Sequence, residues 1–532
     1  MKFRFETWIE RRVGYDVLLF ADRKALHRQV AECIEATALG GAARPSDESV
    51  IGAVVRDEPV MVPLSQVSEE LAAQWREAGE PGRAGLSALL AGANAYRHGV
   101  PARVAELAES AARDLAGAGL RAGEAAALTV RGAAMERLGR FPDSLASYSE
   151  SATAAEGCGH PDEVRLRARA EGGRARALMR LSRIPEAQRS VARALSLARS
   201  ADAKPELVRC LGVAADLQRT SGNPRESLRL LELALVTAKA SLNPAVEALA
   251  IGNLGNHMYM QAEYPKALEL HEKALAISRD MGDRWSEAFQ LSHVALQHWS
   301  LGHMDLAREL FEESLRTRRL LGDAYGEAGS LMNLGNMESN QGHVPRAIEL
   351  YGRALELSRW IGDRRTETLC NLNMGTALLS GGRAPEALPY VSEAVTLSER
   401  LGLKDLYCAA AASRAHTLFR SGDPVAAGPE ADRALRISEE RGNRLAQIVA
   451  LTAKALCTGD SSFADRSVAL ARETGQTVFL CESLMTLAEL RLRHQETAAA
   501  GTALDEILVL AAGIGALNIQ ARAEDLQAGR LP

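Results

Sequence analysis

The strongest candidates for metal chemistry in this sequence are His293, His298 and His303, which lie close together along the chain. A zinc site needs several nitrogen or sulfur ligands that converge on one point. On a continuous helix, a step of five residues would turn His298 and His303 about 140° away from each other. No HExxH sequence is present. We therefore predict that the chain binds no metal and that these histidines are structural.

The cysteines are the next candidates, as nucleophiles or metal ligands. No two of them form a CxxC pair, and Cys370 and Cys408 lie within apolar runs, which favours buried, reduced thiols. A cysteine nucleophile would also need a histidine and an orienting group beside it. The seven cysteines are Cys33, Cys158, Cys210, Cys370, Cys408, Cys457 and Cys481.

The sequence motifs of other common catalytic sites do not occur. There is no GxSxG elbow and no GxGxxG after a strand, and no strand pattern is evident. No Gly-Lys dipeptide occurs, which excludes a Walker A loop. We predict that the chain is not an enzyme and carries no cofactor.

Composition and charge narrow the range of partners. Ala, Leu, Arg and Glu dominate, aromatic residues make up only 4%, and the formal net charge is −5, so no basic stripe with stacking aromatics indicates direct nucleic-acid binding. The start, MKFRFETWIERR, has no apolar segment of a signal peptide. No run of about 18 apolar residues predicts a membrane span. We expect a cytoplasmic protein whose partner is a protein or peptide.

An internal repeat organises most of the sequence. Small residues recur at a step of 40 residues in three series that share one register, which chance does not explain. The series are Gly222, Ala262, Gly302, Gly342, Gly382 and Gly422; Ala234, Ala274, Ser314, Ala354, Ala394 and Ala434; and Gly282, Gly322, Gly362, Gly402 and Gly442.

One unit, residues 244–283, shows why small residues recur. Apolar residues from Ile251 to Met258 form one helical face, and Gly255 within it predicts close approach by a neighbouring helix. Residues 261–264 form a short turn, and Pro265 suits the first turn of a second helix. Gly282 suits the left-handed residue that ends that helix. A single such hairpin cannot bury its apolar face, so neighbouring units must stack.

These residues resemble the tetratricopeptide repeat family in a long variant of about 40 residues. The resemblance rests on Leu254-Gly255, Leu334-Gly335, Met374-Gly375, Tyr264, Ala267 and Ala274. It implies an all-α, right-handed superhelical α-solenoid of about ten helix-turn-helix repeats. We predict a linker or irregular excursion at 36–64, degenerate repeats at 65–204, regular repeats at 205–442, and shortened repeats with a cap at 443–532.

The N-terminal segment 1–35 carries a second resemblance. Residues 14–35, with Tyr15, Leu18-Leu19, Arg23, Leu26-His27, Val30-Ala31-Glu32 and Glu35, are similar to the region that follows the ATPase core of bacterial signal-transducing NTPases of the STAND type. The ATPase itself is absent from this chain. Two explanations are open: a stand-alone descendant that lost the ATPase, or the C-terminal part of a larger regulator. A third explanation is that the segment is simply a helical cap for the solenoid, which requires no relationship to an ATPase.

The repeat resemblance also implies a binding site. The first helix of each repeat lines a concave groove, and residues beside the Leu-Gly pair point into it. Asparagine there can bond a peptide backbone through its donor and acceptor. The alternative is that these asparagines cap turns or bond to adjacent helices. The predicted groove residues are Asn253, Asn256, His293, Asn333, Asn336 and Asn373.

The predicted function is therefore a non-catalytic regulatory module that binds a partner peptide or protein in this groove. The alternative is an effector-sensing C-terminal part of a larger signalling ATPase, transcriptional activator or cyclase.

Overall fold

The computed structural model describes residues 20–40, 42–56, 62–98, 101–261, 263–440, 442–475 and 477–530, and all its regular elements are helices. Eleven consecutive antiparallel pairs form the array; we call the first helix of each pair the A helix and the second the B helix. The A helices are α4 (Pro81–His98), α6 (Arg121–Arg137), α8 (Glu163–Arg180), α10 (Lys204–Thr220), α12 (Pro244–Met260), α14 (Arg284–Ser300), α16 (Ala324–Asn340), α18 (Arg364–Ser380), α20 (Lys404–Arg420), α22 (Arg444–Thr458) and α24 (Thr477–Arg493).

The B helices are α5 (Pro101–Gly117), α7 (Phe141–Ala155), α9 (Ile184–Ser200), α11 (Pro224–Ser241), α13 (Tyr264–Asp280), α15 (Met304–Leu321), α17 (Val344–Ile361), α19 (Ala384–Arg400), α21 (Pro424–Glu440), α23 (Ser461–Thr474) and α25 (Thr497–Gly513). Three helices precede the array, α1 (Phe20–Leu39), α2 (Asp47–Val55) and α3 (Val62–Glu77), and α26 (Leu517–Gln527) follows it. The predicted all-α solenoid of about ten helix pairs is confirmed.

The helix ends follow the 40-residue glycine series. Gly282, Gly322 and Gly362 have φ of +65°, +65° and +76°, the left-handed conformation predicted for the end of a B helix. Among the described residues, four turns keep this backbone without glycine: φ is +59° at Ser182, +44° at Asp202, +52° at Leu242 and +63° at Gln495. The turn geometry therefore persists where the sequence series is interrupted.

Close contact between the two helices of a pair explains the glycines at the predicted Leu-Gly and Met-Gly positions of the A helices. A Cβ on Gly255 would lie 2.7 Å from His271 Nε2, and one on Gly375 would lie 2.4 Å from Val391 Cγ1. Ala267 and Ala274 on α13 are fully buried, as the small-residue series predicts. The core is filled by alanine and leucine at short helix–helix separation.

The segment 36–64, predicted as a linker or irregular excursion, contains α2. Its Val50 and Ile51 are buried, and the Ser46 side chain accepts a hydrogen bond from the Ser49 N–H to cap the helix. Arg56 Nη1 donates to Asp162 Oδ2 at 2.6 Å, which ties the end of this helix to the start of α8. Residues 14–19 of the STAND-like stretch lie outside the described residues.

The chain divides into two compact units. The first comprises residues up to 250 together with 280–284, and the second comprises 251–279 with 285 onward. All six predicted groove residues belong to the second unit. None of the described helices is both long and apolar enough to cross a lipid bilayer.

Candidate binding site on the A helices

The first prediction to correct concerns His298 and His303. Their ring centroids are 5.3 Å apart and their Nδ1 atoms 3.1 Å apart, whereas a continuous helix would have separated them. The reason is that α14 ends at Ser300, so His303 lies in the turn as the N-cap of α15. Within the described ranges, no group of three or more histidine, cysteine, aspartate or glutamate side chains is placed to hold a metal ion.

The cysteines differ in their surroundings. Cys210, Cys370, Cys408 and Cys481 are buried, Cys158 and Cys457 are partly exposed, and Cys33 is exposed. Burial raises the pKa of the Cys370 thiol to about 12, which keeps it protonated at neutral pH. The two cysteines singled out in apolar runs are therefore buried as predicted, whereas Cys33 does not pack as a core residue.

The six predicted groove residues occupy equivalent places on four successive A helices. Asn253, His293, Asn333 and Asn373 follow the 40-residue step through α12, α14, α16 and α18. Asn256 and Asn336 lie one helical turn further along α12 and α16. All six side chains are partly exposed, neither core residues nor fully solvated ones.

Two of the asparagines bond to each other across neighbouring repeats. Asn373 Nδ2 donates to Asn336 Oδ1 at 3.0 Å, and Tyr351 Oη donates to the same oxygen at 2.7 Å. The Asn336 carbonyl is thus held by α17 and α18 together. These bonds fix the Asn336 amide plane before any ligand binds, which lowers the entropy lost on binding.

His293 is held between aromatic rings. It stacks on His271 with centroids 4.7 Å apart and planes 9° apart, and it meets the edge of Phe289 at 4.6 Å. Phe289 stacks in turn on Trp285, at 5.9 Å. Burial, and then the nearby His271 and Arg318, hold the pKa of His293 well below its usual range. The imidazole is therefore neutral at physiological pH.

A buried ion pair lies beneath this part of the array. Arg318 Nη1 donates to Asp323 Oδ2 at 3.1 Å, and their side chains are only 7% and 2% exposed. Arg318 also donates to Ser314 Oγ at 3.1 Å and to Ser292 Oγ at 3.4 Å. Burial lowers the pKa of the Arg318 guanidinium. This network joins α14, α15 and the start of α16, and so fixes the helices that carry His293 and Asn333.

The remaining asparagines have a different environment. Among the described residues, the side chains of Asn253, Asn256 and Asn333 form no hydrogen bond. Asparagine in a helix interior costs several tenths of a kcal/mol relative to alanine. The predicted alternative, that the asparagines bond to adjacent helices, therefore describes Asn336 and Asn373 and does not describe these three.

Further along the second unit, charged side chains of the A helices form ion pairs within the chain. Arg420 on α20 forms two hydrogen bonds to the Glu489 carboxylate on α24, at 3.0 and 2.5 Å. Arg493 donates to Glu489 at 2.6 Å, and Arg522 donates to Glu482 at 2.7 Å. The A helices that carry Asn253 to Asn373 also contain paired carboxylates, such as Glu287 with Arg279 and Glu367 with Arg359, but the six predicted groove positions themselves are uncharged.

Sequence reasoning missed the B-helix residues that support this site. His271, Phe311, Tyr351 and Val391 follow the 40-residue step, and each is buried against an A helix. That step was visible in the sequence, but the residue types differ, so no small-residue pattern drew attention to them. The row formed by Trp285, Phe289 and His293 was also visible, as an i, i+4, i+8 spacing.

Comparison with known proteins identifies two of the repeats as tetratricopeptide repeats. The tetratricopeptide repeat family matches residues 250–284 and 328–359. With the eleven helix pairs of the described residues, these matches support an α-solenoid of tetratricopeptide-type repeats. No protein of curated function matches the sequence significantly.

Among solved structures, the chain is similar to a Rap protein complexed with competence and sporulation factor, at 14% identity and a TM-score of 0.55, over 67% of this chain and 99% of that one. At this identity the likeness shows the fold alone. Matches of lower TM-score include the quorum sensor NprR from B. thuringiensis (14% identity, TM-score 0.46, 62% of this chain and 97% of that one). A STAND protein with a tetratricopeptide repeat sensor from Pyrococcus horikoshii matches at 15% identity and TM-score 0.46, over 91% of this chain and 75% of that one.

Proposed function

We propose that the second unit is a regulatory interaction module that binds an extended, uncharged segment of a partner peptide or protein along α12, α14, α16 and α18. The observation that carries the proposal is that Asn253, Asn256 and Asn333 are partly exposed amides in register, without a hydrogen-bond partner in the described chain. Each amide offers a donor and an acceptor, which is what a peptide backbone requires.

The surroundings of the amides support an uncharged occupant. His293 is neutral at physiological pH, and Trp285 and Phe289 continue from it as a row of aromatic rings. Aromatic rings bury large apolar area and suit an apolar side chain of the partner. The amides would then bind the backbone while the rings bind side chains. The Rap structure of similar fold was solved with a bound factor, which is consistent with a binding role for such an array.

The experiment begins with selection of peptides from a random phage-displayed library on the full chain. Affinities of the selected peptides are then measured by fluorescence anisotropy for the wild type and for Asn253→Ala/Asn256→Ala/Asn333→Ala. Three lost hydrogen bonds at about 0.5–1.5 kcal/mol each predict at least a tenfold weaker Kd. Because the site is uncharged, the wild-type Kd should change little with salt.

The same variant separates a binding role from a structural one. Alanine is the better helix former, so the triple variant should melt at the same temperature or higher. The control is Asn223→Ala, an exposed asparagine in a turn of the first unit, which should keep wild-type affinity. Unchanged peptide affinity in the triple variant, or a large fall in its melting temperature, would reject the proposal.

A further inference from the structure

A second surface of unit 2 has the properties of a binding site, formed by two B helices and the A helix between them, and its lining includes none of the six predicted groove residues. A cavity of about 210 Å³ is lined by residues of α15, α16 and α17. Leu315, Leu331, Leu334 and Leu350 form its apolar floor, and each is at most 7% exposed. Pockets for small molecules usually measure about 300–1,000 Å³, so this cavity fits one large side chain better than a cofactor.

Arginines surround the leucine floor. The same cavity is lined by Arg316, Arg319, Arg346 and Arg353, and by a single acidic residue, Glu312. We call this site the arginine cleft. The Arg316 and Arg346 side chains are 66% and 54% exposed. Arg319 also bonds to Glu327, and Arg346 bonds to Glu349. Four guanidinium groups beside three carboxylates leave the cleft with a small positive charge, although the whole chain is slightly acidic.

Three of the four arginines keep capacity for further partners, whereas Arg319 is already bonded to Glu327 at 2.7 Å. Arg353 is exposed and forms no ion pair within the described chain. The nearest carboxylate oxygen to Arg316 is Glu312 Oε2, at 4.0 Å, the outer limit of an ion pair. Arg346 pairs with Glu349 one turn along its own helix, at 2.5 Å. Exposed pairs of this kind contribute about 0–1 kcal/mol, so an external carboxylate can compete for these guanidinium groups.

Exposed apolar side chains extend the surface beyond the cleft. Leu320 is 77% exposed and Trp360 is 78% exposed, and they occupy the same place in consecutive repeats, 40 residues apart. Trp360 follows Arg353 by seven residues, which places both on one face of α17. Leu320 follows Arg316 by four residues, on one face of α15. Large exposed apolar residues beside a charged rim are characteristic of protein-binding surfaces.

From this geometry we infer that the arginine cleft binds an acidic segment of a partner protein, in which one large apolar side chain is flanked by aspartate or glutamate. The apolar side chain enters the leucine-lined cavity, and the flanking carboxylates bond the guanidinium groups of Arg316 and Arg353 and compete with Glu349 for that of Arg346. Arginine pairs with carboxylates through two parallel hydrogen bonds, which gives such a contact both affinity and orientation. The leucine floor favours this occupant over a nucleic-acid strand, whose phosphates bring no apolar anchor.

The test uses phage-displayed random peptides selected on the full chain, with counter-selection on Arg316→Glu/Arg353→Glu. Peptides that bind only the wild type should contain a Leu, Phe or Trp flanked by acidic residues. Synthetic copies should lose at least tenfold in affinity on the charge-reversed variant, and their Kd should weaken steeply with salt. They should keep their affinity for Asn253→Ala/Asn256→Ala/Asn333→Ala, which separates this site from the proposed groove.

Arg436→Glu is a matched control. Arg436 holds the register of Arg316 three repeats further on, is 67% exposed, and has its own glutamate, Glu440, at 3.7 Å. Its reversal should leave affinity unchanged, and all variants should melt within a few degrees of wild type because the altered side chains are exposed. The inference is overturned if both selections yield the same peptides, or if the selected peptides are not acidic. It is also overturned if a dT15 oligonucleotide or self-association, rather than a peptide, responds to the charge reversal.

Discussion

The ring of Tyr351 occupies the space that a side chain on Gly335 would need. A Cβ on Gly335 would lie 2.6 Å from Tyr351 Cε1 and 2.8 Å from Cδ1. Tyr351 is 2% exposed and its hydroxyl is bonded to Asn336, so the ring has little freedom to move. This contact joins the A and B helices of one repeat and positions one of the groove asparagines.

Gly335→Ala should therefore destabilise the protein. Overpacking of a dense core costs about 1–3 kcal/mol, which outweighs the better helix propensity of alanine. The measurement is the midpoint of thermal or urea unfolding. Gly329→Ala on the same helix is the control: nothing lies within 4 Å of its Cβ, so it should stabilise by about 1 kcal/mol. Equal effects of the two substitutions on stability would show that the Tyr351 ring moves aside without cost.

Leu242→Gly should stabilise the first unit. Leu242 ends α11 with φ +52° and is 92% exposed, so its side chain contributes little packing while its backbone is strained. Glycine removes the strain but costs entropy in the unfolded chain, which leaves a gain of about 0.5–1 kcal/mol. Leu242→Ala keeps the Cβ and should give no gain. A loss of stability in Leu242→Gly would mean that the leucine side chain has a stabilising contact in solution.

Arg318→Met should be more damaging than Arg318→Met/Asp323→Asn. Removal of the arginine leaves the Asp323 carboxylate buried without its cation, which costs about 3–5 kcal/mol. Asparagine in place of Asp323 removes that charge and can still accept the Gly326 N–H, now bonded to Asp323 Oδ1 at 2.9 Å. Unfolding midpoints of both variants test this. A double variant no more stable than the single one would show that the charge is not the cause.

The stability of the second unit should fall as the pH falls from 6.5 towards 3. Burial, and then the charges of Arg420 and Arg522, lower the pKa of His416 to about 3, and Arg420 Nε donates to its unprotonated Nε2 at 3.3 Å. The ordinary histidine pKa is about 6.5, so below that pH the unfolded chain binds a proton that the folded chain does not. Acid therefore favours unfolding across this window.

His416→Gln should make the pH dependence of the melting temperature shallower, because one linked proton is lost. Melting curves at pH 7 and pH 4.5 measure the change. His494→Gln replaces an exposed histidine of the same unit and should keep the wild-type dependence. If His416→Gln keeps it as well, another group accounts for the acid sensitivity.

The sequence period was sufficient to predict the helix pairs and their turns. In the unit 244–283, α12 ends at Met260 and α13 begins at Tyr264, which places the turn where the sequence indicated it. The reason is that small residues, glycine and proline are each favoured by a local feature of the backbone: a close helix contact, a left-handed turn or the first turn of a helix. Each of these features is evident from one segment of sequence. Leu242 escaped this reasoning because leucine seldom adopts the left-handed conformation.

Side-chain partners were less accessible to sequence reasoning. The bond between Asn336 and Asn373 joins residues 37 positions apart and depends on the rotamers of both. The approach of His298 and His303 depends on the end of α14 at Ser300, which the local sequence did not reveal. The arginine cleft needs side chains from three helices, none of which is unusual alone. Whether the asparagines bind a peptide remains a prediction.

The glycine that admits a neighbour and the side chain that fills the gap belong to the same hairpin, as Gly255 with His271 and Gly375 with Val391 show. A 40-residue block therefore contains both the glycine and the side chain that packs against it. Duplication or loss of one block during evolution would lengthen or shorten the array without creating a mismatch inside any hairpin. The contacts that cross from block to block, such as the packing of Gln290 against Gly252 and the bond between Asn336 and Asn373, would have to be rebuilt.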